Sequence, residues 1–126
     1  GKPCRLLDSV AVVDDGIQLD FNFHIDPEST NGVKNWHAEM WDYLWSRKYG
    51  SDQFSVLHPG EEGRDEVHIA DVLLIDPKTI HLNVPDIRPC DQFLLEFETR
   101  DQAGELFFEK AYLTIHAVPD KSENRK

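Results

Sequence analysis

The fold class of this chain depends on residues 35–51, which read Asn35-Trp-His-Ala-Glu-Met-Trp-Asp-Tyr-Leu-Trp-Ser-Arg-Lys-Tyr-Gly-Ser51. All three tryptophans of the protein and two of its three tyrosines lie within 14 residues of this stretch. Aromatic side chains combine a large apolar area with a polar group. Such a cluster therefore forms either one wall of a hydrophobic core or a surface on which a ligand stacks.

Two secondary structures are compatible with residues 33–48. An amphipathic helix is favoured by apolar residues at helical spacing, namely Val33, Trp36, Met40 and Leu44. A strand would instead direct Trp36 and Ala38 to one face and Trp41 to the other. A bulge near Glu39 and Met40 would then turn both sets inward. Periodicity alone leaves both structures open.

The rest of the chain has the pattern of a β protein. Residues 10–13 and 17–23 are apolar or alternating, and the turn sequence Asp14-Asp15-Gly16 between them predicts a hairpin. Residues 50–65 are polar and interrupted by Pro and Gly, which indicates a long surface loop. Further strands are predicted at 67–75, 80–84, 93–98 and 107–118. About seven short strands separated by turns predict an all-β sandwich of the immunoglobulin or fibronectin-III type. We expect one domain over residues 1–118 and a charged tail over 119–126.

The charge of the protein restricts its partners. With 24 acidic and 13 basic residues the net charge is −11, and no basic stripe interrupts it. An acidic surface repels phosphate backbones and anionic membranes, so neither nucleic-acid binding nor membrane insertion is expected. No apolar run approaches the roughly 20 residues of a membrane-spanning helix. The start Gly1-Lys2-Pro3 has no initiator methionine and suggests a processed or excised fragment.

Four segments of the chain resemble a known family. They are Gly1-Lys2-Pro3, Asp26-Pro27 with the aromatic block Asn35 to Ser51, Gly63-Arg-Asp-Glu-Val67, and Tyr112-Leu-Thr-Ile-His116. The resemblance is to the C-terminal β-sandwich domain of large secreted bacterial proteins, typical of planctomycetes, that carry c-type cytochrome and sugar-dehydrogenase-like domains. It implies a strand at residues 33–48, a secreted or periplasmic location, and an accessory role in a redox or polysaccharide-processing protein. The haem-attachment motif of such parents lies in another domain.

The two cysteines, Cys4 and Cys90, lack the CxxC spacing of zinc or redox sites. They could form a disulfide or remain two unpaired thiols. A crosslink would close a long loop and stabilise the fold by roughly 4 kcal/mol in the chain-entropy model. The resembling family has aliphatic or small residues at these positions. Their joint replacement favours a disulfide, which an oxidising compartment would permit.

The candidate ligand-binding residues lie in the aromatic block. If Trp41, Tyr43 and Trp45 share one side of a strand, they form a platform about 13 Å long, suited to stacking against sugar rings. Trp36 is a second candidate for stacking. Polar residues near the platform that could bind hydroxyl groups are Glu39, Asp42, Arg47 and Gln53. The alternative is that most of these rings fill the core, as a buried tryptophan does in immunoglobulin domains.

Other reactive residues give weaker signals. The six histidines form no HxH or HExxH pair, and the chain has no GxSxG sequence. A loop calcium site could be built from Asp26, Glu28 and Asn31, but the spacing does not match an EF-hand. We therefore predict no catalytic residue, no metal ligand and no cofactor.

Together these observations predict a non-catalytic accessory domain that binds or docks. Its expected partners are other domains of the parent protein and a polysaccharide. One alternative is a purely structural domain packed against a cytochrome or catalytic domain. Another is an acidic surface that attracts a redox partner.

Overall fold

The computed structural model describes residues 6–30, 32–46, 50–58 and 61–119, with the side chains of 44–46 and 50–52 outside the description. These residues form one short 3-10 helix, Pro27–Thr30, and nine β-strands. The strands are β1 (Leu7–Val13), β2 (Gly16–Phe21), β3 (Trp36–Ser46), β4 (Gly50–Phe54), β5 (Asp65–Val67), β6 (Asp71–Asp76), β7 (Thr79–Asn83), β8 (Cys90–Arg100) and β9 (Leu106–Ile115). Within these ranges no helix is long and apolar enough to cross a membrane. Of the predicted tail, residues 120–126 lie outside the description.

Two antiparallel sheets pack face to face. The first has the strand order β1-β2-β7-β6, and the second has the order β4-β3-β8-β9 with β5 pairing to β3. In chain order this arrangement corresponds to the A-B-E-D and C-F-G sheets of an immunoglobulin sandwich, with β4 added beside the C strand. The predicted all-β sandwich is therefore confirmed.

The strand number was predicted too low. One extra strand, β4, lies in residues 50–65, where the sequence indicated a surface loop. The other arises because the strand predicted at 67–75 is divided in two: β5 ends at Val67 and β6 begins at Asp71. Both β4 and β5 pair with β3. β4 is short and polar, so it lacks the apolar alternation on which the prediction depended. β5 has only three residues, of which Val67 is buried in the core.

The aromatic stretch is a strand, as the β alternative predicted. The pairing of β3 with β8 runs in register from Trp36 opposite Phe97 to Trp41 opposite Gln92, without a shift. The predicted bulge near Glu39 and Met40 is therefore wrong. Because a strand alternates its side chains, Trp36 faces the inside of the sandwich and Trp41 faces the outside. Residues 36 and 40 share one face of a helix and also one face of a strand, which explains why the periodicity was ambiguous.

The hydrophobic core lies between the two sheets. Its members from the first sheet include Ile17, Leu19 and Leu82, none of which has exposed surface. At one end of the core the Trp36 ring stacks on Phe97, with centroids 4.6 Å apart and planes 10° apart. Phe21 and Phe107 also pack near Phe97, with centroids 5.9 and 6.3 Å away. The aromatic residues therefore close one end of the sandwich.

Cys90 is buried at the beginning of β8. Cys4 lies outside the described residues, so the disulfide stays a prediction.

We expect the thiol of Cys90 to be modified slowly in the folded protein. Burial, with the nearby charges of Asp42 and Asp91, raises the pKa of the Cys90 thiol to about 11. Because the thiolate is the reactive form, we expect the folded Cys4→Ser variant to resist an aromatic disulfide reagent at pH 8 and to react at once in denaturant. Fast labelling without denaturant would contradict this. Peptide mapping of the unreduced wild type tests the disulfide directly.

Candidate functional site

The structure separates the candidate residues of β3. Trp36 is 6% exposed and packs in the core, as the core alternative proposed. Trp41 points outward but is only 2% exposed. Tyr43 is half-buried on the same face. The side chain of Trp45 and the whole of Arg47 lie outside the description. The three-ring platform is therefore not open to a ligand at Trp41.

Arg64 covers Trp41. Its guanidinium carbon lies 3.8 Å from the centroid of the indole ring, which is a cation–π contact. The same guanidinium donates hydrogen bonds to Gln53 Oε1 at 2.9 Å and to Glu39 Oε1 at 3.1 Å. The structure thus brings together the ring and two polar residues that the sequence assigned to ligand binding. All three contact Arg64 instead, and a sugar could stack on Trp41 only if Arg64 moved.

Asp42 has a structural role. It faces away from Trp41, and its Oδ1 accepts a hydrogen bond from the Asp91 amide at 2.8 Å. Asp91 Oδ2 in turn accepts a hydrogen bond from the Tyr43 amide at 2.8 Å. The two carboxylates therefore fasten β3 to the beginning of β8. This position does not support the predicted hydroxyl-binding role beside the Trp41 ring.

Asp65 holds the loop that precedes Arg64. The carboxylate is buried and accepts hydrogen bonds from Ser55 Oγ at 2.6 Å, from the Val56 amide at 2.6 Å and from the Leu57 amide at 2.9 Å. Burial acts to raise the pKa of Asp65. The bonds from Ser55, Leu57 and Val56 outweigh burial, and the pKa lies below its ordinary value. Asp65 therefore remains ionised and fixes residues 55–57 against β5.

Loss of this carboxylate should destabilise the domain. Asp65→Ala leaves one buried and two partly buried donors without an acceptor, and we expect it to lower the free energy of unfolding by about 1–3 kcal/mol at pH 7. Since the folded pKa lies below the unfolded value, the ionised carboxylate stabilises the fold above about pH 3.9. That contribution disappears as the pH falls through the folded pKa. Urea unfolding at pH 7 and below pH 4 measures both effects. Glu62→Ala, at an exposed carboxylate, is the control and should change neither value.

Among the side chains that the structure describes, the exposed aromatic residues of this sheet lie on β9 and not on β3. Phe108 is 62% exposed and Tyr112 is 60% exposed, and the nearby Leu106 is 53% exposed. These three residues lie on the outer face of β9, and we call them the β9 strip. Phe108 and Tyr112 are four residues apart, which is about 13 Å along a strand. On β8, Glu98 pairs with Phe108 and Leu94 pairs with Tyr112. Acidic and apolar side chains therefore border the strip.

The sequence analysis treated residues 107–118 only as the last strand and missed this strip. A signal was present, because apolar residues occupy both alternating sets of positions in Leu106 to Leu113. Phe107 faces the core, since its ring lies 6.0 Å from Phe21. Alternation then requires Phe108 and Tyr112 to point outward.

A polar cavity adjoins one end of the β9 strip. It has a volume of about 480 Å³ and lies between the 3-10 helix and the C-terminal end of β8. Its charged lining residues are Asp26, Glu28, Lys34, Glu98 and Arg100, and Leu106 of the strip also lines it. We call it the corner pocket. Its volume is within the range of small-molecule sites.

The histidines are dispersed. His81 Nε2 lies 3.2 Å from Asp15 Oδ1, and His24 Nδ1 lies 3.2 Å from Gln102 Oε1. His37 lies 3.5 Å from Glu39 on the outer face of β3. In the part of the chain that the structure describes, no group of three or more His, Cys, Asp or Glu residues is arranged to hold a metal ion. Of the calcium candidates, Asn31 lies outside that part.

Comparison with known proteins adds no assignment. The sequence matches no model of a protein family and shows no significant similarity to a curated protein. The functional argument therefore depends on the surface of the domain itself.

Proposed function

We propose that this domain is a non-catalytic accessory module of a larger secreted or periplasmic protein and that it binds carbohydrate at the β9 strip. The observation that carries the proposal is the exposure of two aromatic rings, Phe108 and Tyr112, on the same face of one strand. Single exposed apolar residues are common, but a row of them marks an interaction surface. The proposal keeps the ligand class that the aromatic content suggested and transfers the site from β3 to β9.

The chemistry of the strip suits a sugar chain. The apolar face of an aromatic ring packs against the C–H groups of a sugar, and the spacing of about 13 Å allows more than one sugar unit to be held. Polar side chains near the rings supply partners for hydroxyl groups. Glu96 and Lys110 lie opposite each other on β8 and β9, and their charged atoms are 4.0 Å apart.

Affinity gel electrophoresis on a panel of polysaccharides tests this proposal. We expect at least one glycan to retard the wild type and Phe108→Ala and Tyr112→Ala to abolish most of the retardation. The matched control is Leu73→Ala with Ile75→Ala, because these residues are 49% and 53% exposed on β6 of the other sheet. The control protein should migrate like the wild type. Unchanged migration of the wild type on every glycan would refute carbohydrate binding.

A structural docking role is the second candidate. It is supported by the position of the β9 strip on the last strand of its described sheet, where Leu106 adds aliphatic surface to the two rings. An apolar edge strand is open to coverage by another domain of the parent protein. In this case the isolated domain would bind no glycan. When the cytochrome or catalytic domain is present, the backbone amides of β9 would become protected from hydrogen exchange, and the exposed rings would become protected from chemical labelling.

A further inference from the structure

We propose that the corner pocket is a subsite for one unit of an uncharged, hydroxyl-rich glycan whose following units stack on Phe108 and Tyr112. This inference rests on the proposed function and adds the class of glycan and the end of the strip at which recognition is polar. Four features of the pocket carry it: its continuity with the strip, its unengaged polar groups, its mixed charge, and the charge of the whole domain.

The pocket and the strip form one continuous surface. In the β8–β9 pairing, Glu98 lies opposite Phe108 and Arg100 lies opposite Leu106. Directly opposed residues of an antiparallel pair point to the same face, with Cβ atoms about 5 Å apart. Glu98 and Arg100 therefore stand beside the strip and also line the pocket. A ligand that stacks on Phe108 is within reach of both side chains.

Four charged side chains of the pocket are available to a ligand. Ser29 Oγ is engaged with Thr99 Oγ1 at 2.7 Å, which fixes the floor where the 3-10 helix meets β8. By contrast, among the described residues the charged groups of Glu28, Lys34, Glu98 and Arg100 form no hydrogen bond or ion pair with one another or with other side chains. The scaffold is held by its own bonds, and the charged groups at the rim are left to solvent or ligand.

The mixture of charges selects an uncharged ligand. Asp26, Glu28 and Glu98 would repel an anion, whereas Lys34 and Arg100 would repel a cation. A sugar hydroxyl group both donates and accepts hydrogen bonds, so it can donate to a carboxylate and accept from a guanidinium or ammonium group. Hydrogen bonds to charged partners are about twice as strong as those between neutral groups. Several adjacent hydroxyl groups satisfy this arrangement better than one net charge of either sign.

The net charge of the whole domain also favours an uncharged ligand over an anionic one. A net charge of −11 repels uronate-rich or sulfated polysaccharides before they reach the pocket. A cationic polysaccharide would be attracted by this field without specific recognition, and that attraction would weaken as salt screens it. Binding of a neutral glycan through hydrogen bonds and stacking should depend little on salt.

The test uses the full 126-residue chain with xylan, a mixed-linkage β-glucan and a galactomannan as neutral ligands, polygalacturonate as the acidic ligand and chitosan as the basic one. Affinities are measured by affinity electrophoresis in low and high salt. We expect the protein to bind a neutral glycan with an affinity that does not change with salt.

Glu98→Gln and Arg100→Gln should each weaken this binding about tenfold or more, because each removes a hydrogen bond to a charged group. Glu62→Gln and Arg88→Gln, on surfaces away from the pocket, are the controls and should bind like the wild type. All four positions are exposed or half-buried, and circular dichroism verifies that each variant is folded.

The outcomes separate this inference from the proposed function. If Phe108→Ala abolishes binding to a neutral glycan but Glu98→Gln and Arg100→Gln do not weaken it, the strip binds carbohydrate and the pocket subsite is refuted. Binding only to polygalacturonate or only to chitosan, with loss at high salt, refutes the uncharged class. Binding to no glycan refutes both proposals.

Discussion

Gly16→Ala is expected to lower the free energy of unfolding by about 4 kcal/mol or more, or to prevent the domain from folding. Gly16 is buried at the beginning of β2, directly opposite Asn83 of β7. A Cβ at this position would overlap the carbonyl oxygen of Leu82 and lie 2.9 Å from its carbonyl carbon and 3.0 Å from the amide nitrogen of Val84. These are backbone atoms, which cannot rotate away as a side chain can. The two central strands of the first sheet would have to separate.

The close approach of the β2 and β7 backbones at Gly16 is stabilised by a neighbouring backbone hydrogen bond. The Val84 amide donates a hydrogen bond to the Asp15 carbonyl at 2.8 Å, immediately beside Gly16. Guanidinium unfolding followed by tryptophan fluorescence measures the effect. Ala11→Val, which adds methyl groups at an exposed position of the neighbouring strand β1, is the control and should change stability by less than about 0.5 kcal/mol. Equal stabilities of the two variants would show that the backbones of β2 and β7 do not approach each other this closely.

Phe97→Ala should have the second-largest effect, a loss of about 3–5 kcal/mol of stability. Phe97 is 1% exposed, and its ring stacks on Trp36 and packs edge-on against Phe21. Its removal would leave a cavity between the sheets and would also remove aromatic contacts worth about 0.5–1.5 kcal/mol per pair. Because Trp36 loses its stacking partner, its fluorescence and near-ultraviolet circular dichroism should change as well.

The control for this prediction is the same substitution at another phenylalanine of the second sheet. Phe108→Ala, at a ring that is 62% exposed, should cost less than about 0.5 kcal/mol. The comparison is informative because Phe108 carries the proposed carbohydrate site. If Phe108→Ala proved as destabilising as Phe97→Ala, the ring would be part of a core and the proposed binding surface would have to be abandoned.

Trp36 and Trp41 illustrate how two identical residues of one strand acquire different roles. Trp36 and Trp41 are both buried, but Trp36 belongs to the core between the sheets, whereas Trp41 lies outside that core cluster and contacts the guanidinium group of Arg64. The indole nitrogens of both are buried without a hydrogen-bond partner in the described structure. Burial of an unpaired donor has a cost, so the apolar contacts of each ring must exceed it.

The amino-acid sequence by itself determined the all-β class and most of the strands. Alternation at Ile17, Leu19 and Phe21 and the turn at Asp14-Asp15-Gly16 were sufficient to predict the first hairpin, because a strand buries every second side chain. Such patterns depend on neighbours in the chain. The same property explains the missed strand β4, whose mostly polar residues pair with β3 and leave no apolar pattern.

Only the tertiary structure decided which aromatic rings a ligand can reach. Trp41 and Phe108 are both outward-facing aromatic residues in the same sheet, and their sequence patterns do not distinguish them. Arg64, from a loop distant in sequence, covers the first, whereas no described side chain covers the second to a comparable extent. The exposure of an outward-facing ring depends on whether a segment distant in sequence packs over it. The alternation of residues along one strand contains no information about that packing.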